Sequence, residues 1–340
     1  YKYNRNPKEL IFKRALVNFA MDNDYIFMAT ELKGKDTFFL PFNKDIQNPI
    51  NTNGNKTDYL FKEILTRDSI LDLIDNFILE VEKINESTGT KTKEVVFPRY
   101  HQLDSVRKLL MDTKTKGTGK SYLIQHSAGS GKSNTISWLA HQLSCLHDNN
   151  NKNVFDSVIV ITDRRVLDSQ LRSTVLSFQT IEGNISTADK NSSQLKDAIE
   201  KGQKIIVTTL QKFGVIAEKI NESKSKKFAL LIDEGHSSWG SSESRSNVNK
   251  ALKIKDDEIE EELTEEDLLN SEIESRGKAK NVSYFAFTAT PKQKTLEIFG
   301  TKKTDGTFEA FHIYSMLQAI KEGFILDVLE NYTTYKSYFR

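Results

Sequence analysis

The sequence has a single cysteine, no long apolar run and almost no net charge, and each scarcity excludes a class of protein. Cys145 alone cannot form an internal disulfide, and one cysteine with six scattered histidines shows no zinc-binding cluster. No apolar run approaches the roughly 20 residues of a membrane span, and the start, YKYNRNPKEL, has no signal-peptide core. We therefore expect a cytoplasmic protein. With a net charge of +1, any nucleic-acid surface must be a local patch.

What is present is the composition of an ordinary globular protein, with 37% hydrophobic and 28% charged residues in 340. That length allows two domains, or one large domain with appendages.

The most informative stretch is Ile124–Ser133, IQHSAGSGKS. A short apolar run precedes it, and apolar residues at helical spacing follow it, namely Ile136, Leu139, Ala140 and Leu143. The pattern predicts a strand, a phosphate loop and a helix. At the first loop position His126 replaces the usual glycine. A Gly-Ser-Gly-Lys-Ser turn unrelated to nucleotides is the alternative, and the flanking strand and helix favour the phosphate loop.

Each polar or small residue of this loop has a predicted task. Gly129 and Gly131 let the backbone turn its N–H groups toward a di- or triphosphate at the positive end of the helix. Lys132 can reach the β- and γ-phosphates, and the Ser133 hydroxyl can ligate Mg²⁺. The stretch therefore predicts binding of ATP with Mg²⁺.

Four continuous apolar runs follow the loop and do not alternate with polar residues. Such runs are typical of strands buried on both faces of a parallel sheet with crossover helices. We therefore expect an α/β fold, a P-loop three-layer sandwich with a parallel sheet. The four runs are 158–161, 205–207, 228–232 and 284–287.

Two of these runs end in residues suited to nucleotide chemistry, and ligands of open parallel sheets bind at the carboxyl ends of strands. Asp233 is placed to hold Mg²⁺, and Glu234 to orient or deprotonate the hydrolytic water, with His236 beside them. Thr288 and Thr290 could hydrogen-bond to these groups and couple them to the rest of the site. A solvated acidic turn is the alternative for the acids.

The other two runs end in hydroxyls and cations, the groups that hold a phosphodiester backbone without reading bases. Thr162 and Arg164 follow one strand, and Thr209 and Lys212 follow the next. We expect these four residues to contact DNA. Ordinary loop and helix-capping roles are the alternative.

The amino-terminal part mixes short elements with polar connections. We expect a hairpin from residues 25–30 and 37–41, a helix over 68–79 and a polar linker over 83–93. Asp24, Glu31 and Lys33 have the residue types of a PD-(D/E)xK nuclease site, but a surface ion pair on the hairpin is the favoured interpretation. The acidic stretch 256–274 is expected to be a solvated helix or an insertion away from DNA.

The order FPRYHQ, HSAGSGKS, VIVITDRRVLDSQL, IIVTTLQKF, DEGH and FAFTATP resembles the successive motifs of superfamily 2 helicases. Together with RALVNFAMDND, TFFLPFN and KTDYLFKEILTRDSILDL, the set resembles the motor (R) subunit of type I restriction endonucleases over essentially the whole chain. The resemblance implies an ATP-driven double-stranded DNA translocase with a RecA-like fold, whose partners are methylation (M) and specificity (S) subunits.

The same resemblance implies roles for individual residues. Gln102 would contact adenine, and Gly235 replaces the commoner alanine of its box. The implied catalytic residues are Lys132, Asp233, Glu234 and His236, with Mg²⁺ held by Ser133 and Asp233. The implied ATP-binding residues are Gln102, Ser127, Ala128, Gly129, Ser130, Gly131, Lys132, Ser133 and Asn134.

The resemblance also implies boundaries. Residues 1–94 would be the tail of a nuclease domain with its linker, 95–310 the first RecA-like lobe, and 311–340 the start of the connection to a second lobe. We expect the nuclease core and the second lobe, with its arginine finger, to lie outside this sequence, so that hydrolysis by the chain alone is slow. A nucleotide-binding switch or scaffold and a stand-alone helicase remain the alternatives, and DNA-stimulated hydrolysis separates the switch from the motor.

Overall fold

A computed structural model of the chain describes residues 3, 5–84, 91–162, 174–176, 185–187, 192–209, 220, 223, 225–233 and 279–327. The strands within these residues are β1 (Asn18–Met21), β2 (Ile26–Ala29), β3 (Leu40–Pro41), β4 (Leu79–Ile84), β5 (Lys91–Val96), β6 (Ser121–His126), β7 (Ser157–Thr162), β8 (Ile185–Thr187), β9 (Ile205–Thr209), β10 (Phe228–Asp233), β11 (Val282–Thr288), β12 (Thr301–Lys302), β13 (Phe308–Glu309) and β14 (His312–Tyr314). The helices are α1 (Leu10–Arg14), α2 (Arg67–Asn76), α3 (Tyr100–Lys116), α4 (Lys132–Ser144), α5 (Ser192–Glu200), α6 (Gln293–Phe299) and α7 (Met316–Lys321), with a 3-10 turn at Gly34–Asp36 and a π-helical turn at Leu60–Ile64.

The chain divides into two compact units. The first unit comprises residues 1–104, 126–131 and 314–340, and the second comprises 105–125 and 132–313. In the first unit, β1, β2 and β3 form an antiparallel sheet in that order. Phe27 of β2 pairs with Pro41 of β3, so the predicted hairpin is present, with the 3-10 turn in its connection.

Aromatic side chains fill the core of the first unit. Phe42 is fully buried and makes edge-to-face contacts with Phe19 and Tyr100, with ring centroids 5.4 and 5.6 Å apart. The Tyr59 hydroxyl donates to the Phe42 carbonyl at 2.5 Å, and burial raises the pKa of Tyr59. Edge-to-face pairs of this kind stabilise a core beyond their buried area, by about 0.5–1.5 kcal/mol each.

The predicted polar linker over 83–93 is wrong, because strands enter it from both ends. β4 runs to Ile84, β5 begins at Lys91, and the two strands pair antiparallel. The sequence does not indicate this hairpin because its strands carry charged residues in place of apolar alternation; the Lys93 ammonium bonds to Glu80 of the opposite strand at 2.5 Å. Pairs of opposite charge across strands stabilise a sheet without apolar alternation.

The nuclease-like residues of the first unit form two separate surface ion pairs. Lys33 bonds to Glu31 at 2.9 Å, with 59% and 68% of the two side chains exposed, and Asp24 bonds to Lys56 at 2.7 Å. No cluster of three or more metal-ligating side chains occurs among the described residues. The surface interpretation of Asp24, Glu31 and Lys33 is the one that fits this geometry.

The second unit is built on a sheet of order β14-β6-β11-β10-β7-β9-β8. All the neighbouring strands from β6 to β8 in that order pair parallel. The four predicted apolar runs lie inside β7, β9, β10 and β11, whose residues are almost all buried. Sequence reasoning missed β8, which is three residues long and pairs with β9 at the sheet edge.

Helices cover this sheet on both faces. α5 and α6 bury Leu195, Ile199, Ile298 and Phe299 in one core with sheet residues such as Leu230. α4 packs against β7, β9 and β10 from the opposite face, where alternate strand residues point. The result is helix, sheet and helix, so the expected three-layer α/β sandwich with a parallel sheet is confirmed.

Several predicted residues lie outside the described part of the chain: Arg164, Lys212, Glu234, His236 and the acidic stretch 256–274. None of the helices in the described ranges combines the length and apolarity that a membrane span requires.

Candidate functional site

The predicted phosphate loop joins β6 to α4, as the sequence pattern indicated. Gly129 and Gly131 have φ angles of +68° and +75°, the left-handed region in which a side chain is strained. The loop also closes on itself, because the Ser130 amide donates to the Ser127 carbonyl at 3.3 Å. α4 begins at Lys132, so Ser133 and Asn134 occupy its first turn.

Gln102 holds two carbonyls of this loop. Its Nε2 donates to the Gly131 carbonyl at 3.0 Å and to the Ser130 carbonyl at 3.3 Å, and its Oε1 accepts from the Arg99 amide at 2.9 Å. The side chain is 3% exposed. In this structure the carboxamide therefore braces the loop backbone, and its contact with adenine stays a prediction.

Arg99 and His101 hold the loop from the same short segment. Arg99 Nη2 donates to the Gly129 carbonyl at 2.8 Å, and His101 Nε2 lies 3.0 Å from the Ser130 carbonyl, which requires the proton on Nε2. Three consecutive carbonyls, those of Gly129, Ser130 and Gly131, are thus fixed by residues 99–102.

Fixing the carbonyls orients the amides. In a planar trans peptide the C=O and N–H groups point in opposite directions. With three consecutive carbonyls bonded to residues 99–102, the Gly131 and Lys132 amides turn toward the other side of the loop, while the Ser130 amide closes the loop on the Ser127 carbonyl. That is the arrangement in which successive backbone N–H groups receive an anion. The requirement for glycine is steric as well, since a Cβ at Gly131 would lie 2.6 Å from Gln102 Nε2.

Lys132 and Asp233 form the charged part of the site in the second unit. Burial lowers the pKa of Lys132, and the Asp233 carboxylate opposes that shift, so the two side chains interact electrostatically. Asp233 is the last residue of β10 and lies beside Thr162 of β7, which in turn lies beside Thr209 of β9. An acid and two hydroxyls therefore lie side by side at the carboxyl ends of neighbouring strands, and the acid interacts with the first residue of α4.

The donor set fits Mg²⁺ bound with a nucleotide. Mg²⁺ prefers hard oxygen ligands and is usually held by one or two carboxylates together with substrate phosphates. The second unit offers the Asp233 carboxylate and the Ser133 hydroxyl, both partly exposed.

Sequence similarity decides the family. The sequence pattern of the SWI2/SNF2 ATPase family matches residues 101–338, which is more than half of the chain. The chain belongs to the SWI2/SNF2 ATPase family. Membership implies nucleotide binding and makes this chain an ATPase of the helicase type. No protein of curated function has a sequence that matches it significantly.

Three solved structures are similar to this SWI2/SNF2 ATPase at low identity. A nuclease-deletion mutant of the Type ISP restriction-modification enzyme LlaGI, in complex with a DNA substrate mimic, has 15% identity and a TM-score of 0.40 over 67% of this chain and 21% of its own. The UvsW helicase from bacteriophage T4 has 14% identity and a TM-score of 0.38, over 74% of this chain and 68% of its own. A fragment described as an HsdR subunit of a type I restriction enzyme from Vibrio vulnificus YJ016 has 13% identity and a TM-score of 0.38, over 93% of this chain and 58% of its own. The chain thus spans about a fifth of the length of LlaGI.

The remaining predicted residues that the structure describes lie in the second unit of the SWI2/SNF2 ATPase. Thr162 is 1% exposed and Thr209 9% exposed, so both hydroxyls are covered at the sheet edge where DNA contacts were expected. Thr288 ends β11 with a buried hydroxyl that has no partner among the described residues, and Thr290 follows in the turn. The DNA-binding and coupling roles stay predictions.

Sequence reasoning missed residues that the structure brings to the loop. His101 stacks on Tyr314, with ring centroids 3.7 Å apart, and the Ser127 amide donates to the Tyr314 carbonyl at 3.0 Å. Arg99 lies three residues before Gln102 in FPRYHQ, so the motif contained it, but nothing in the residue types assigns a buried arginine to a carbonyl 30 residues away.

Proposed function

We propose that this SWI2/SNF2 ATPase is the ATP-driven double-stranded DNA translocase of a type I restriction endonuclease R subunit. The observation that carries the nucleotide part is the set of three loop carbonyls fixed by Arg99, His101 and Gln102. This anchoring prepares the loop amides for phosphates before any ligand arrives. The motif order from FPRYHQ to FAFTATP supports the restriction-enzyme part of the proposal.

Each side chain has a defined task in this proposal. Lys132 binds the β- and γ-phosphates, and Ser133 and Asp233 hold Mg²⁺, which would screen the charge of the phosphates. Partial burial of Lys132 strengthens its attraction for phosphate, because a less polar environment screens charges less. Glu234, outside the described residues, would orient the attacking water.

DNA would be held through its phosphates by Thr162, Arg164, Thr209 and Lys212, without reading bases. The protein would act in the cytoplasm with methylation and specificity subunits, and the specificity subunit would choose the target. Cleavage would follow translocation.

The test measures ATP binding and DNA-stimulated hydrolysis in parallel. Lys132→Ala should weaken ATP binding by about tenfold or more, since a charge-assisted hydrogen bond contributes roughly 1.5–3 kcal/mol. Lys120→Ala, which removes an exposed lysine from the other end of β6, is the matched control and should bind as the wild type does. Equal ATP affinity in all three proteins, measured by calorimetry, contradicts the nucleotide assignment.

Double-stranded DNA separates a motor from a switch. In the intact subunit, DNA of any sequence should raise the rate of ATP hydrolysis, and added salt should weaken the effect steeply, because phosphate contacts release counterions. A hydrolysis rate that DNA does not change would identify a nucleotide-dependent switch and would remove translocation from the proposal.

A further inference from the structure

The segment that follows β14, Tyr314–Phe324, is held in one shape by its own hydrogen bonds. The Ser315 hydroxyl accepts from the Gln318 amide at 3.1 Å and caps α7. The Tyr314 hydroxyl donates to Glu322 Oε2 at 2.6 Å, and Gln318 Nε2 donates to Glu322 Oε1 at 2.9 Å. Because Tyr314 at its start and Gln318 in its middle are both bonded to Glu322, and the Phe324 amide donates to the Ala319 carbonyl, the segment can move as one body.

This segment touches the phosphate loop within the first unit. The Ser127 amide donates to the Tyr314 carbonyl, and a Cβ at Gly129 would lie 3.3 Å from the Phe324 carbonyl. The backbones of loop and segment therefore approach so closely that a side chain at Gly129 would press on the Phe324 carbonyl. A displacement of the loop at Gly129 would therefore move the backbone at Phe324.

Arg99 lies between the two. Its Nη2 donates to the Gly129 carbonyl, while its guanidinium carbon lies 4.1 Å from the centroid of the Phe324 ring and 5.9 Å from that of Tyr314. The residue is 8% exposed, and its Nη1 has no hydrogen-bond partner among the described residues. A buried cation is costly unless its surroundings compensate it. Here one loop carbonyl, two aromatic faces and the nearby charge of Glu322 do so, so that Arg99 interacts with the loop and with the segment at once.

We propose that Arg99 is a positioning residue that transmits movement of the phosphate loop to the segment Tyr314–Phe324. The inference rests on the proposed function, because nucleotide phosphates would be what draws the loop toward its amide side. The Gly129 carbonyl then moves, and the planar guanidinium carries the Phe324 ring with it. Lysine could not replace it, since an ammonium has neither the planar face nor the second donor arm.

The experiment follows amide hydrogen exchange by mass spectrometry, with and without the ATP analogue AMP-PNP and Mg²⁺. In the wild type, the analogue should slow exchange both in residues 127–133 and in residues 316–324. Arg99→Lys and Phe324→Leu should keep the protection of the loop and reduce the protection of 316–324 by a factor of about five or more, the lower end for coupled sites. Leu317→Ala, which truncates an exposed side chain of α7, is the control and should behave as the wild type.

The outcomes separate the two proposals. Loop protection in the wild type without any change in 316–324 overturns the transmission by Arg99 and leaves the nucleotide site intact. Full protection of the segment in both variants overturns the transmission as well. Absence of AMP-PNP binding by calorimetry, with no protection anywhere, overturns the proposed function and this inference together. Should Arg99→Lys fail to fold, Phe324→Leu decides alone, since it removes a ring and no hydrogen bond.

Discussion

Alanine at Gly131 would test whether Gln102 really braces the phosphate loop. The backbone there has φ of +75°, and the left-handed conformation costs a residue with a Cβ about 1–2 kcal/mol. The added Cβ would also meet Gln102 Nε2 at 2.6 Å and Arg99 Nη2 at 3.1 Å. Both atoms are the far ends of long side chains, so the side chains would move rather than the backbone.

Movement of Gln102 has a calculable consequence. Its carboxamide makes three hydrogen bonds, to the Arg99 amide and to the Ser130 and Gly131 carbonyls, in a buried setting. Leaving such buried groups without partners costs about 1–3 kcal/mol. Gly131→Ala should therefore lower the free energy of unfolding by about 2–5 kcal/mol, measured by urea titration, and should weaken ATP binding as well.

Gly34→Ala is the matched control in the same unit. Gly34 has φ of +64°, and a Cβ there would meet nothing within 4 Å, so only the backbone strain of about 1–2 kcal/mol applies. Gln102→Ala should cost less stability in the Gly131→Ala background than in the wild type, because the clash has already displaced the carboxamide from its three hydrogen bonds. Equal destabilisation by the two glycine substitutions, with no coupling to Gln102, would refute the reasoning that the carboxamide is seated on the loop.

Two further predictions concern charged groups of the first unit. Burial raises the pKa of Glu322, so the folded state holds this proton more tightly than the unfolded chain; stability is then greatest below its ordinary value of 4.5 and falls as pH rises through the folded pKa. Glu322→Gln should flatten this dependence in urea titrations from pH 4 to pH 8, and an unchanged slope would contradict a buried carboxyl that titrates. Glu31→Ala should change the free energy of unfolding by less than about 1 kcal/mol, because its partner Lys33 is exposed. The wild type should show no nicking of DNA with Mg²⁺, and a nicking activity that this substitution abolishes would restore the nuclease interpretation.

The parallel sheet could be predicted because its strands carry their own signal. Strands buried on both faces must be apolar throughout, and 228–232 and 284–287 are apolar whatever their neighbours. The β4–β5 hairpin could not, because its strands carry exposed charges such as Glu80 and Lys93, and charged residues without apolar alternation are typical of a solvated linker. Only the pairing register of β4 and β5 in the folded protein brings Glu80 and Lys93 together as an ion pair.

The candidate site likewise contains residues that the sequence could predict and residues that it could not. Loop glycines and Lys132 follow from the chemistry of binding phosphate, which restricts residue type at each position. Gln102 was identified as a site residue, but its hydrogen-bond acceptors in this structure are carbonyls 28 and 29 residues away. Arg99 was missed because a buried charge is recognisable only by what surrounds it, and the Gly129 carbonyl and the Phe324 ring come from distant parts of the chain.

Asp233, Thr162 and Thr209 lie in register on three neighbouring strands, and this spacing determines how strongly charges at the two ends of the row interact. Neighbouring strands lie about 4.8 Å apart, so the first and last residues of this row are about 10 Å apart. At an effective dielectric of about 20, unit charges at that separation interact by about 1.7 kcal/mol. The intervening Thr162 is buried, so counterions from solvent cannot screen the direct path. A charge gained or lost beside Asp233 would therefore change the potential at the end of β9 without any atom moving.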